Sequence, residues 1–82
     1  MTKQLFLRQL VEHGVDGVPI SFNNSTAEGY GVRQTYYGWE TFVRERGDEY
    51  DIRLFATESD ALTFLLDEIL YLYRNIPRHD IL

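Results

Sequence analysis

Apolar residues recur at helical spacing near both ends of the chain and in near-alternation between them. Phe6, Leu7, Leu10 and Val11 form one stripe of an amphipathic helix. Thr2 can cap that helix and Gly14 supplies a left-handed terminator, so it is expected to run to about His13, a last-turn position that suits positive charge. Residues 15–29 contain Gly17, Pro19, Asn23, Asn24, Ser25 and Gly29 and read as a loop, to which Val18 to Phe22 can add a short edge strand. Tyr30 to Tyr37 and Trp39 to Arg46 are rich in β-formers and are separated by Gly38. Gly47-Asp48-Glu49 makes a second turn, and Tyr50 to Phe55 is a third run. Strict alternation in that run places Tyr50, Ile52 and Leu54 on one face and Asp51, Arg53 and Phe55 on the other. Thr57 is a natural N-cap, Glu58 and Asp60 lie near the positive helix end, and Pro77 stops the last helix at about Asn75.

On that last helix Ala61, Leu62, Leu65, Leu66, Ile69, Leu70, Leu72 and Tyr73 fill about half the circumference and must face the sheet. The other half holds Asp60, Thr63, Phe64, Asp67, Glu68, Tyr71, Arg74 and Asn75. The expected architecture is α+β: a three- or four-stranded antiparallel sheet covered on one face by an N-terminal and a C-terminal helix, all within a single domain over residues 1–82.

Three surfaces then stand out. Phe64 and Tyr71 lie on one line of the last helix among acidic residues, either covered by the first helix or exposed as an aromatic patch. In the middle strand Trp39, Thr41 and Val43 alternate with Glu40, Phe42 and Arg44. The second set is mostly charged and is expected outward, while Trp39 and Val43 meet Ile52 and Leu54 under the helices. Arg33, Tyr37, Glu40, Phe42, Arg44 and Arg53 would lie on the open face or at its edge, either simply solvated or a partner site anchored by Phe42 and Tyr37. The third surface is the turn around Glu45, Asp48, Glu49 and Asp51, which is either solvated or a binding site. Truncating Phe42 or Tyr71 is expected to weaken partner binding with little loss of stability.

Composition narrows the function. The chain has 82 residues, 44% apolar and 15% aromatic, too apolar for a disordered segment. With no cysteine, core packing or a partner must supply stability. The net charge of −5 and only eight Lys and Arg oppose nucleic-acid binding and leave a basic protein surface as a partner. Arg8 interrupts the short N-terminal apolar run, and no stretch approaches the ~20 apolar residues needed to span a bilayer. No membrane association and a cytoplasmic location are expected.

Motifs for chemistry do not emerge. His13 and His79 lie near opposite ends, no HExxH spacing exists, and Asp48-Glu49-Tyr50-Asp51 lacks the alternation of a calcium loop. Gly29-Tyr30-Gly31 precedes a strand rather than a helix, unlike a dinucleotide-binding turn. Ser25, His13 and Asp16 form a nominal Ser-His-Asp set in which nothing activates the serine. No catalytic residue, metal or cofactor is expected, and an enzyme is not.

The segment Gly38-Trp39-Glu40-Thr41-Phe42-Val43-Arg44-Glu45-Arg46-Gly47, followed by Phe55-Ala56-Thr57-Glu58-Ser59-Asp60-Ala61 and Phe64-Leu65-Leu66, resembles a family of small bacterial immunity proteins. His13-Gly14-Val15 is similar as well, and the likeness extends from about residue 5 to 70. The chain departs from the pattern in a longer, more polar loop from Pro19 to Gly29, and in Thr41 where valine is usual. The resemblance implies a protein that binds a cognate secreted toxin, such as an NAD-hydrolysing one, and occludes its active site. By residue match the pattern covers Trp39, Glu40, Phe42, Glu45, Arg46 and Gly47, with Trp39 better suited to the core and Gly47 to turn geometry. The alternative is a small homodimeric adaptor joined through a sheet edge or the Phe64–Tyr71 line; an inhibitor would be a monomer or weak dimer when free.

Overall fold

A computed structural model describes residues 1–23 and 27–75 of the chain, with side chains up to Tyr73. Asn24, Ser25, Pro77 and His79, and the side chains of Arg74 and Asn75, lie outside the described residues. The elements follow in the order α1 (Lys3–Glu12), β1 (Ile20–Phe22), β2 (Gly29–Thr35), β3 (Gly38–Glu45), β4 (Asp48–Phe55) and α2 (Glu58–Asn75). The fold is α+β, with one four-stranded sheet in the order β1-β2-β3-β4.

Local signals set the helix ends. The Thr2 hydroxyl accepts the Leu5 N–H at 3.1 Å and caps α1. At the other end Gly14 adopts φ +72°. Its N–H donates to the Val11 carbonyl while that of Val15 donates to Leu10, which completes a Schellman motif. The motif turns Val15 back onto Leu10, and both are buried. Thr57 Oγ1 accepts the Asp60 N–H at 3.1 Å and caps α2 as expected.

The sheet is mixed rather than wholly antiparallel. β2–β3 and β3–β4 are antiparallel, but β1 runs parallel to β2, pairing Ile20 with Tyr30 and Phe22 with Val32. A parallel neighbour normally needs a long crossover. Here β1 has only three residues, so the chain need travel back only ~10 Å, well within reach of the connecting segment.

The core lies between the helices and one sheet face. It holds Phe6 and Leu10 of α1, Val15 and Val18 of the following loop, Val32 of β2, and Ala61, Leu62, Leu65, Leu66 and Ile69 of α2. Trp39, Phe55, Phe22 and Tyr30 pack against its rim. The apolar stripe foreseen on α1 is narrower: Phe6 and Leu10 point inward, whereas Leu7 and Val11 are exposed. α2 keeps its expected inner face as far as Ile69, and beyond it Leu70 and Leu72 are half-buried and Tyr73 is exposed.

β4 departs from strict alternation. Asp51 has φ +52°, and the register with β3 slips between Thr41 and Val43. This β-bulge inserts one residue and reverses the parity of everything after it. Tyr50 opposes Val43, but Arg53 opposes Thr41 and Phe55 opposes Trp39. Arg53 and Phe55 therefore face the helices, where both meet the Phe64 ring. Ile52 and Leu54, expected beneath the helices with Trp39 and Val43, instead stand on the helix-free face, and Arg53, expected there, does not.

Candidate partner-binding surface

The helix-free face is built around Phe42. Its cross-strand partner is Gly31. With no side chain at Gly31 the Phe42 ring lies flat across β2, and a Cβ there would overlap it. Arg33 and Arg44 occupy the same face and stack their guanidinium carbons 4.3 and 5.4 Å from the ring centroid. The ring is 1% exposed. Phe42 is thus outward but sealed under two arginines, and it is not the accessible anchor expected from the sequence.

The arginines are themselves held. Arg33 Nε donates to Glu40 Oε1 at 3.0 Å, and its Nη1 and Nη2 reach both Glu49 oxygens at 2.9 and 3.0 Å. Arg44 Nη2 donates to the same Glu49. The bidentate Arg33 contact, with Arg44 second, lowers the Glu49 carboxyl pKa from 4.5 to about 2. Arg33 is pushed upward, chiefly by its hydrogen bond to Glu49. Glu49, Glu40 and Arg44 thus meet in one paired lattice. Glu45 and Asp48 remain exposed in the β3–β4 turn, where Arg46 and Gly47 both take positive φ. The Glu28 carboxylate accepts the Arg46 and Gly47 N–H groups at 2.9 and 3.4 Å and pins that turn.

Beside this lattice stand Ile52 and Leu54, 52% and 56% exposed. Leu54 directly opposes Glu40. Tyr37, 79% exposed, lies in the β2–β3 turn with its ring 5.0 Å from that of Tyr36. Sequence reading missed Ile52 and Leu54 because the bulge that turns them outward leaves only a weak trace, an Asp in a run of β-formers.

The other candidates separate. Phe64 is half-buried, with its ring 5.2 Å from Phe55 and 5.1 Å from the Arg53 guanidinium. Phe64 thus packs against β4. Tyr71, one turn-pair further along, is 66% exposed, so the two rings do not form a shared exposed patch. Asp51 sits on the helix side with Glu68, near Tyr30, whose hydroxyl pKa is raised by burial first and then by Tyr73, Glu68 and Asp51. The cleft between β4 and α2 at this point measures about 10 Å³ and is lined by Tyr30, Asp51, Arg53, Phe64 and Glu68. It has room for no more than a water. Thr41, also at this cleft, buries its hydroxyl without a hydrogen-bond partner among the described residues.

Among the described residues no group of three or more His, Asp or Glu is placed to hold a metal ion, and no helix is long and apolar enough to cross a membrane. No protein-family model, curated protein or solved structure matches this chain.

Proposed function

We propose that this chain is an immunity-type inhibitor that binds a cognate bacterial toxin through its helix-free sheet face and occludes the toxin's active site. The observation that carries this reading is the juxtaposition on one open face of exposed Ile52 and Leu54 with the locked Arg33–Glu40–Glu49–Arg44 lattice. Apolar anchors beside polar groups are the anatomy of a protein interface. Pairing the charged side chains in advance reduces the ordering entropy that association would otherwise cost.

The resemblance carried by the Gly38 to Gly47 segment supports the same reading. Gly38 lies against the Phe55 backbone and Gly47 turns at φ +86°, so these two hold the hairpins. Glu40 and Phe42 bring the motif onto the open face. The net charge of −5 suits a toxin with a basic, nucleotide-holding cleft, such as an NAD-hydrolysing enzyme, and steers encounter with it. On this reading the chain acts in the cytoplasm of the producing cell.

The test is co-purification with, and inhibition of, the toxin encoded beside this chain's gene. The chain is expected to form a stoichiometric complex and abolish toxin activity. Leu54→Asp should lose both effects while keeping its melting temperature. Full inhibition by Leu54→Asp would remove the open face from the interface, and a neighbouring product that is no toxin, or one left active, would overturn the reading.

A further inference from the structure

The long edge of the sheet is open. Among the described residues β4 pairs only with β3, and every residue from Tyr50 to Leu54 is exposed. A strand in this position presents unpaired backbone N–H and C=O groups along its outer side. Two opposite charges lie on that edge. Asp51 and Arg53 both point to the helix side of the sheet, and neither is in an ion pair among the described residues. The Arg53 guanidinium lies over the Phe64 ring, 5.1 Å from its centroid.

We propose that two copies of this chain pair antiparallel through β4, extending the sheet across a two-fold axis at Ile52. The register follows from charge and from facing. With Ile52 opposite Ile52 of the second copy, Asp51 opposes the second copy's Arg53, and the reverse pair forms on the other side of the axis. The same operation sets Asp51 and Arg53, both on the helix side, against each other, while beyond them the bulge puts Tyr50 out of step with Leu54 of the second copy, so matched facing extends over Asp51 to Arg53 alone. Centring the pair on Arg53 would place two guanidiniums face to face, so charge selects the first register. The bulge at Asp51 bends the strand before that point and keeps the ladder short. The dimer is therefore weak and concentration-dependent.

Pairing leaves the helix-free face uncovered and brings the Ile52 and Leu54 side chains of both copies into one apolar strip at its centre. The inference goes beyond toxin binding, and its failure would leave that reading intact, because a monomer can occlude an active site.

Sedimentation equilibrium of the full chain from ~10 µM to ~500 µM tests the proposal, a range suited to a small, weak interface. A reversible monomer–dimer equilibrium is expected. Arg53→Asp and Asp51→Arg should each weaken it about tenfold by opposing like charges, and the double swap should restore it. Asp51 has φ +52°, so Asp51→Arg adds backbone strain that Arg53→Asp does not, and the two variants are read side by side. Circular dichroism of each variant guards against unfolding. A chain that stays monomeric throughout the range overturns the proposal, as does a dimer indifferent to both single substitutions.

Discussion

Two side chains show how much a single residue decides here. Thr41 is 1% exposed, and its hydroxyl has no hydrogen-bond partner among the described residues. A buried hydroxyl without a partner costs about 1–3 kcal/mol. Thr41→Val, nearly the same shape without the polar atom, should therefore raise stability by about 1 kcal/mol, read as a shifted denaturation midpoint at unchanged slope. A lowered midpoint would mean that the hydroxyl is bonded. Glu49 makes the complementary case. Its carboxyl is held at about 2, below the ordinary 4.5, by Arg33 and Arg44. A depressed carboxyl binds fewer protons in the folded state than in the unfolded one between those values. Its stabilisation is present above about pH 4.5 and is lost as the pH falls through about 2. The stability gap between the native chain and Glu49→Gln should close across that window, and a gap unchanged at pH 2 would contradict the lattice.

At the scale of elements, Phe42 acts within a cross-strand unit rather than as an exposed anchor. Gly31, Arg33 and Arg44 enclose its ring. Phe42→Ala should cost about 3–5 kcal/mol, the range for truncating a buried aromatic, and should also loosen both arginines. Thermal melts check the first effect, and side-chain NMR of the guanidiniums checks the second. A loss under about 1 kcal/mol would restore Phe42 to the exposed role suggested by its charged neighbours. Alternation in β3 was legible, since Glu40, Phe42 and Arg44 do share the helix-free face. Its consequence was not, because alternation tells which way a side chain points and not what lies across from it. In β4 the alternation misled, since one positive-φ residue at Asp51 reversed the strand's second half.

For the molecule as a whole, the helices and the sheet share one core, so stability is concentrated where they meet. Leu65 lies at that junction and is 2% exposed. Leu65→Ala should destabilise by about 2–5 kcal/mol, measured by chemical denaturation, while Leu54→Asp on the open face should change stability little. Equal effects from the two would show that the open face is structural.

Periodicity, caps and turn residues by themselves determined the α+β class, the order of elements, both helix starts, the Gly14 terminator and the inner face of α2 as far as Ile69. These are local properties, written in spacings of a few residues that act on the backbone where they stand. Tertiary structure alone decided that β1 runs parallel, that the bulge exposes Ile52 and Leu54, that Phe42 is sealed over Gly31, and that Glu49 is drawn from the acidic turn into a pair with Arg33. Each of these depends on which strands become neighbours and in what register. That outcome is chosen by packing and charge between residues far apart in the chain, which no local spacing records.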